Sequence, residues 1–484
     1  MFHQRLVAMK GVKLNPFPAN FRWGTTTAAF QIEGAIAEDG RGESVWDMFT
    51  RRADAIADHS NAAIACDHYH RFQEDIDWNA KLGANAYRLS IAWPRVLPEG
   101  PGRVETRGLD FYDRLVDGLL ARGIDPLVSL FHWDFPLALF YRGGWLSRDS
   151  ARWFADYVDI VVRRLSDRVT QWITFNEPQV FISEGHFTGR HAPGIRLPWR
   201  ETLLAAHHVL LAHGHAVDTI RASAAKTPSI GYAPAGPIPL PARNTAENVA
   251  LAYDEVCTVT HETLWNMAWW LDPVVLGRYP AEGTAVFGDA APKPLPGDLE
   301  VISRPLDFLG LNLYWGPRVD EAHRGAQAIW QYPADHPHSA FGWPITPEIL
   351  YWGPRFMAKR YGLPLIISEN GMSCQDCVAV DGGVHDSARV DFLTRHLVML
   401  RAAIAAGVDV RGYYHWSLLD NFEWAEGYKQ RFGLLHTDFA TGRRTPKDSF
   451  FHYCDLIASG GATLPSEGPG LIEPDGWERL VKHS

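Results

Sequence analysis

The sequence predicts one α/β domain, a single (β/α)8 TIM barrel with extended loops at the carboxyl-terminal face of its strands. Apolar, β-branched runs of strand length alternate about eight times with amphipathic runs of helix length. No strand is followed by a glycine-rich phosphate turn, which argues against several doubly wound domains. No linker-like segment interrupts the 484 residues, a length that one barrel with insertions accommodates.

The predicted elements alternate in chain order. Strands are predicted at 21–30, 85–91, 126–131, 171–175, 229–233, 306–311, 364–368 and 410–416, and helices at 67–82, 108–122, 151–166, 202–223, 245–270, 347–360 and 387–406. In the first helix Tyr69, Phe72 and Ile76 have helical spacing, and Leu82-Gly83 is a stop signal. Because active sites of such barrels lie at the carboxyl ends of the strands, polar residues just after strands are candidate site residues.

Two of the predicted strands lead to a glutamate. The fourth strand precedes Asn176-Glu177-Pro178, and the seventh precedes Glu369-Asn370-Gly371, so the two acids face each other across the barrel mouth. Hydrolysis of a glycosidic bond needs such a pair: one acid protonates the leaving oxygen, and the other attacks the sugar or activates water. Arg88 and Tyr314 are candidate partners that keep one acid ionised. The alternative for Arg88 is a purely structural salt bridge.

Composition excludes several classes of partner. A net charge of −10 argues against nucleic acid or an anionic membrane, since both favour basic patches. No run of about 18 apolar residues occurs, residues 1–18 lack an apolar core of signal-peptide length, and five cysteines form no disulfide framework. We therefore expect a cytoplasmic protein. Most of the 19 tryptophans should lie in the core, but tryptophans beside carboxylates are typical of sugar sites.

We expect neither a metal ion nor another cofactor. Cys374 and Cys377 form a lone pair without a second pair or a histidine at zinc spacing. On helix 202–223, His208 and His215 share a face but lie two turns, roughly 10 Å, apart, too far to bind one ion. The catalytic domain is predicted at 1–458. Residues 459–484 form a C-terminal extension that is expected to pack on the barrel or at the interface of a homo-oligomer.

A set of short segments carries a more specific pattern. They are Trp23-Gly24, Gln31-Ile-Glu-Gly34, Tyr87-Arg-Leu-Ser90, His132-Trp133, Thr174-Phe-Asn-Glu-Pro178, Ala192-Pro-Gly194, Gly342-Trp343, Ser368-Glu-Asn-Gly371 and 412–424. The last contains Trp416-Ser-Leu-Leu-Asp-Asn-Phe-Glu-Trp424, which is long and specific. In this order, over nearly the whole chain, the segments resemble glycoside hydrolase family 1, the β-glucosidase family.

The resemblance implies an exo-acting, retaining double displacement on a small-molecule β-glycoside. It implies release of terminal β-D-glucose, with tolerance of β-galactosides and β-fucosides. Glu369 would be the nucleophile, and Glu177 the acid that later becomes the base. Catalytic support is implied for Arg88, Asn312 and Tyr314. Substrate binding is implied for Gln31, His132, Trp133, Asn176, Trp343, Trp416, Glu423 and Trp424.

Two alternatives were weighed against this interpretation. A 6-phospho-β-glycosidase should replace Glu423 with a small residue and add a lysine-tyrosine phosphate clamp, and an anionic Glu423 would repel phosphate. A non-catalytic sugar-binding homologue should lack a catalytic acid, whereas Glu177 and Glu369 are both present. The chain departs from the family pattern at Gln179, where many relatives carry tryptophan, and we expect its own leaving-group specificity to begin there.

Overall fold

A computed structural model describes residues 14–323, 329–330, 332–466, 474 and 476–481. Its centre is a closed barrel of eight parallel strands, as the sequence predicted. They are β1 Arg22–Thr26, β2 Ala86–Ser90, β3 Asp125–Ser129, β4 Gln171–Asn176, β5 Ser229–Ala233, β6 Phe308–Asn312, β7 Leu365–Asn370 and β8 Val410–Trp416. The strands pair in chain order, and β8 closes on β1 with Arg22 opposite Gly412 and Thr26 opposite Trp416.

Buried side chains fill the interior of the barrel. One cluster takes a residue from each of β2 to β8: Ala86, Leu127, Ile173, Ala233, Phe308, Ile366 and Tyr414. At the corresponding level of β1 the residue is Gly24. A larger residue would not fit there, because a Cβ would lie 2.6 Å from the Tyr414 ring. The interior is therefore a packed core, and only the ends of the strands are free to build a site.

Amphipathic helices form the outer layer. The long ones are α1 His68–Leu82, α2 Thr106–Leu120, α3 Ser150–Leu165, α4 Trp199–Ser223, α5 Ala246–Cys257, α6 Ile349–Tyr361, α7 Ser387–Ala405 and α8 Asp448–Ala458. The predicted stop of α1 is confirmed, since Gly83 ends it with a φ of 78°. Helix α8 packs beside α1, and α1 packs beside α2, so the last helix covers the seam between β8 and β1.

Two predicted elements are wrong in extent. The predicted strand 21–30 ends at Thr26, and Ala29–Ile32 is a short helix. The predicted helix 245–270 is broken, because the chain becomes extended at Thr258 and helical again only at Met267–Leu271. The Asn266 side chain accepts hydrogen bonds from the backbone N–H groups of Ala268 and Trp269, at 2.9 and 3.3 Å, and so caps the second helix. Residues 258–266 form a loop at the mouth of the barrel.

The described part of the C-terminal extension packs on the outside of the barrel. The backbone N–H of Leu14 donates to Ser466 O at 3.0 Å. Trp477 is buried between Tyr253 of α5 and Phe356 of α6, with ring centroids 5.6 and 6.0 Å away. All five cysteines are free thiols. None of the helices in the described ranges is both long enough and apolar enough to cross a membrane.

Candidate active site

A cavity of about 530 Å³ opens at the carboxyl ends of the barrel strands. Most of the predicted site residues line it: His132, Trp133, Glu177, Asn312, Tyr314, Trp343, Glu369, Trp416, Glu423 and Trp424. The other three, Gln31, Arg88 and Asn176, lie directly beneath, and each hydrogen-bonds to a lining residue. Residues that are up to 392 positions apart in the chain thus meet at one end of the barrel.

Glu369 lies near the end of β7 and is held by two donors. Arg88 Nη1 donates to Oε1 at 2.5 Å, and the Tyr314 hydroxyl donates to Oε2 at 2.8 Å. Burial raises the pKa of this carboxyl, while the Arg88 charge and the Tyr314 hydrogen bond oppose that rise. Arg88 is itself fixed by Ser129 Oγ and by Asn176 Oδ1. Both oxygens of Glu369 are therefore oriented, and its ionised form is favoured relative to that of an unpaired buried acid.

Glu177 has a different environment. It follows the last residue of β4, and its Oε1 accepts from the neutral amide of Asn312 at 2.7 Å. Burial raises the pKa of Glu177 well above its usual value, and the nearby charge of Glu369 raises it further. The partners of the two carboxyl groups thus act differently on their pKa values: Glu369 has a guanidinium beside it, and Glu177 has a neutral amide.

Three lining residues have backbone angles that side-chain-bearing residues seldom adopt. The φ angles of Trp133, Glu177 and Trp424 are 78°, 47° and 50°. A left-handed conformation costs such a residue about 1 kcal/mol or more, and it persists where the surrounding structure enforces it. Three of them around one cavity indicate that the backbone here is shaped for what the side chains do rather than for local stability.

A hydrogen-bond network centred on Asn176 lies beneath the two acids. Asn176 Oδ1 accepts from Arg88 Nη2 at 2.5 Å and from Asn312 Nδ2 at 2.9 Å, so its Nδ2 is the donor toward His132 Nε2 at 3.1 Å. Burial lowers the pKa of His132 well below its usual value, so the ring is neutral and carries its proton on Nδ1. That Nδ1 is buried and has no partner among the described residues. It is a donor held ready for a ligand hydroxyl.

The polar end of the cavity is built around Glu423. Gln31 Nε2 donates to Asn421 Oδ1 and Phe422 O at 3.0 and 2.9 Å, and lies 3.4 Å from Glu423 Oε2. Gln31 Oε1 is buried and lacks a partner in the described ranges. Burial raises the pKa of Glu423 to about 8, with Glu369 adding to the rise. Burial and the nearby charge of Glu369 therefore oppose the ionised form of Glu423, the form on which the expected repulsion of a phosphate depends.

Aromatic rings surround the rest of the cavity. The Trp424 and Trp133 ring centroids are 4.4 Å apart, and the His132 ring is near-parallel to that of Trp416 at 5.9 Å. Trp343 stacks on Phe341 at 4.4 Å. Flat apolar faces next to carboxylates suit the C–H faces of a sugar ring.

Several lining residues were missed by the sequence reasoning: Val180, Glu184, Arg190, His191, Trp265, Trp315, Phe341 and Phe432. Phe341 and Trp315 each adjoin a residue that was singled out, which was the available signal. The expectation placed on Gln179 is wrong in position, because its side chain is fully buried and does not line the cavity. Gln179 instead accepts from Ala235 N at 3.4 Å and contacts Met267 Sδ at 3.9 Å.

The described residues contain no group of three or more His, Cys, Asp or Glu side chains that could hold a metal ion. The basic side chain that lines the cavity, Arg190, pairs with Glu426 at 2.7 Å. The cavity presents two carboxyl groups in unequal environments, beside polar and aromatic surfaces.

Comparisons with known proteins agree with this geometry. The structure of a β-glucosidase from Thermotoga maritima in complex with noeuromycin superposes with a TM-score of 0.85, at 40% identity, over 93% of this chain and all of that one. A β-glucosidase from an Agrobacterium species is 42% identical over 92% of this chain and 95% of its own length. A bifunctional β-D-glucosidase/β-D-fucosidase from Bifidobacterium breve is 40% identical over 92% of this chain and 99% of its own length.

The family model described as glycosyl hydrolase family 1 matches residues 13–462, which include every strand of the barrel and every residue of the cavity. The resemblance noted from short segments is thus confirmed over nearly the whole chain. Together with the paired carboxyl groups at the ends of β4 and β7, this match shows that the chain belongs to glycosyl hydrolase family 1.

Proposed function

We propose that this chain is a retaining exo-β-glucosidase that releases terminal β-D-glucose from small β-glucosides. The observation that carries the proposal is the unequal environment of the two acids: Glu369 contacts Arg88 at 2.5 Å, whereas Glu177 contacts the Asn312 amide at 2.7 Å. Pairs of acids whose surroundings separate their pKa values divide into a proton donor and an ionised partner. The β-glucosidase names of relatives at about 40% identity support the same activity.

In the proposed first step, Glu369 attacks the anomeric carbon while Glu177 gives its proton to the glycosidic oxygen. The bond from that carbon to the leaving oxygen breaks, and a glycosyl ester of Glu369 forms. The charge of Glu369 is then gone, so the pKa of Glu177 falls and this group becomes the base. Glu177 takes a proton from water, the hydroxide equivalent attacks the anomeric carbon, and Glu369 leaves as a carboxylate. Two inversions leave the configuration unchanged.

We propose that the sugar is bound by the polar atoms that lack protein partners. Gln31 Oε1 and His132 Nδ1 are buried and unpaired within the described ranges. Sugar hydroxyls can donate to Gln31 Oε1 and accept from His132 Nδ1. Glu423, partly exposed in the cavity, adds a further hydroxyl partner. Trp416 would lie beneath the ring, and Asn176 would hydrogen-bond to the 2-hydroxyl. Since leaving a buried polar atom unpaired is costly, these contacts favour a sugar with matching hydroxyls.

The surroundings of the cavity disfavour the 6-phospho-β-glycosidase alternative. A phosphate needs cationic or backbone N–H partners. The lining arginine, Arg190, is already paired with Glu426. The lysine-tyrosine clamp expected of a phosphate site is also missing from the described lining: Phe432 lines the cavity but has no hydroxyl, and Lys429 donates to Ala57 O at 2.7 Å. Among the described lining residues no lysine or unpaired arginine is present to bind a phosphate, whatever the charge of Glu423.

The proposal is tested by offering purified protein three aryl glycosides: a β-D-glucoside, its α-anomer and the 6-phospho-β-D-glucoside. We expect rapid release of the aryl alcohol from the β-D-glucoside alone. The first glucose seen by NMR should be the β-anomer, since double displacement retains configuration. Cleavage of only the phosphorylated substrate, or first release of α-glucose, would contradict the proposal. Aryl β-galactoside and β-fucoside should be cleaved as well, a tolerance that the bifunctional Bifidobacterium relative supports.

The pH dependence tests the role of Tyr314. Glu369 must be ionised to attack, so kcat/KM falls as pH drops through the pKa of Glu369. The Tyr314 hydroxyl donates to that carboxylate and lowers its pKa. In Tyr314→Phe the pKa of Glu369 should rise, and the acidic limb of kcat/KM should move upward by about one pH unit. Tyr332→Phe is the matched control, since the Tyr332 hydroxyl donates to Gly316 O instead. If the acidic limb of kcat/KM lies at the same pH in both variants, the Tyr314 hydroxyl does not lower the pKa of Glu369.

We also propose a cytoplasmic location, which the free state of all five cysteines supports. We further propose a homo-oligomer in which residues 459–484, beyond the catalytic domain at 1–458, pack at the interface. Size-exclusion chromatography with light scattering, on the full chain and on a chain ending after residue 466, tests both together.

A further inference from the structure

We propose that the leaving group of the substrate binds in a slot between two tryptophans, Trp265 and Trp315, over a floor formed by residues 235–237. We call these residues the leaving-group slot. The proposal deepens the proposed function and rests on it, because only a hydrolysed glycoside has a leaving group. The starting observation is size: a cavity of about 530 Å³ falls in the range that buries drug-sized ligands, and a single sugar ring does not fill it.

The slot lies on the side of the cavity where a leaving group must be. The leaving oxygen receives its proton from Glu177, so the group attached to it projects past that acid. Ala235 pairs with Asn312, the hydrogen-bond partner of Glu177. Gln179, two residues after Glu177, is joined both to Ala235 N and to Met267 Sδ. The floor and the loop that carries Trp265 are thus docked on the helix that begins at the proton donor.

The segments that carry the two tryptophans both lie against or beside the floor. Trp265 lies beside Gly236, where a Cβ would be 3.3 Å from Trp265 O. Trp315 precedes Gly316, where a Cβ would be 1.9 Å from Ile238 O, one residue past the floor. The 1.9 Å approach at Gly316 requires glycine, and the φ of 151° at Gly236 favours glycine there, so both glycines hold the segments with the tryptophans against the floor.

The ring faces of these tryptophans differ from those elsewhere in the cavity. Trp343 stacks on Phe341 at 4.4 Å, and Trp424 packs on Trp133 at 4.4 Å. Trp265 and Trp315 are half-buried and line the cavity, yet no ring-to-ring contact involves them among the residues that the structure describes. A half-buried indole without a ring partner, facing a cavity, is a surface on which a ligand ring can stack.

The chemistry of the slot selects a ring with a flat apolar face. Its five residues offer indole faces, methyl and methylene groups, and no charged side chain. Elsewhere in the lining of the cavity, Arg190 and Glu426 pair with each other. An aryl group and the C–H face of a second glucose both satisfy this requirement, so the experiment includes one substrate of each kind.

The test compares three substrates with the same glucosyl group: an aryl β-D-glucoside, cellobiose and β-D-glucosyl fluoride. The single fluorine atom cannot occupy the slot, so kcat/KM for the fluoride serves as the internal reference. In Trp265→Ala and in Trp315→Ala, the aryl-to-fluoride ratio of kcat/KM should fall roughly tenfold, the effect expected for loss of one aromatic stacking contact. Trp265→Phe should recover part of the ratio. Trp78→Ala, which removes a half-buried tryptophan packed on Phe450 outside the barrel, should leave it unchanged.

The results of this experiment distinguish a failure of the slot proposal from a failure of the proposed β-glucosidase activity. If the cellobiose-to-fluoride ratio falls along with the aryl ratio, the slot binds sugar rings as well as aryl rings. If only the aryl ratio falls, the slot is an aryl site. If both ratios stay at the wild-type value in both alanine variants while the wild type cleaves all three substrates, the slot is wrong and the β-glucosidase activity stands. A wild type inactive on all three substrates overturns the proposed function, and the slot with it.

Discussion

Replacing Glu369 by alanine should abolish hydrolysis of an aryl β-D-glucoside, with a loss in kcat on the order of 10⁵-fold. The carboxylate that forms the covalent intermediate is then absent, and Arg88 and Tyr314 lose the group to which they donate hydrogen bonds. Azide can enter the space that the carboxylate leaves and attack the anomeric carbon directly. The product should be the α-glucosyl azide, because a single displacement inverts the configuration. Product NMR and the rate of aryl release measure both effects.

A matched control is available for this substitution. Glu348 also pairs with an arginine, Arg318, at 2.8 Å, but it does not line the cavity. Glu348→Ala should therefore keep hydrolysis within a few-fold of wild type while testing the effect of breaking an ion pair. Residual activity of Glu369→Ala near that of Glu348→Ala, or formation of the β-azide, would show that Glu369 is not the nucleophile.

Replacing Glu177 by alanine should have an effect that depends on the leaving group. For a poor leaving group, which needs a proton to depart, kcat/KM should fall by about 10³-fold to 10⁴-fold. For 2,4-dinitrophenyl β-D-glucoside, which leaves unaided, kcat/KM should stay near wild type, while kcat falls because water lacks its base. Azide should restore kcat and give the β-glucosyl azide, since it attacks the glycosyl-enzyme without needing a base.

The same variant makes a prediction about pH. Glu177 must carry its proton in the first step, so wild-type kcat/KM falls as pH rises through the raised pKa of this group. In Glu177→Ala that alkaline limb should disappear. Glu177→Gln keeps the volume of the side chain and should behave in the same way, which separates loss of the acid from loss of packing. An unchanged alkaline limb in both variants would assign the proton donor elsewhere.

The barrel and its two acids could be predicted because their signals are local. A short β-branched run followed by Asn176-Glu177-Pro178 marks a strand and its end, and the same holds for Glu369. The contact between Arg88 and Glu369 spans 281 positions. The position of Arg88 on a predicted barrel strand made it a candidate partner of one of the two acids, and left open which acid it contacts. Properties set by packing could not be predicted in this way. Glu423 is an acid in an aromatic setting, and only its burial shows that the pKa rises to about 8.

Trp265 shows where the pattern itself misled. Apolar residues at helical spacing on both sides of it predicted one helix over 245–270, which would have made Trp265 a core residue. The structure ends α5 at Cys257 and starts again after Asn266, so Trp265 lies in a loop at the cavity. Asn266 is a good N-cap, and its position ahead of an apolar run was a usable signal. Gln179 misled in the opposite sense: it follows the Asn-Glu-Pro motif in the chain, yet its side chain is fully buried against Ala235 and Met267 and does not line the cavity.

The circular order of the strands divides the mouth of the barrel into two arcs, with consequences for how the protein can change. Three of the proposed glucose contacts, Glu423, Gln31 and His132, come from the loops after β8, β1 and β3. The slot comes from the loops after β5 and β6. The strands β4 and β7 lie between these arcs, and the two glutamates proposed as catalytic lie at their ends. Substitutions in one arc can therefore accumulate without disturbing the other. A variant library confined to residues 235–237, 258–266 and 315 should diversify the leaving group while the sugar stays glucose.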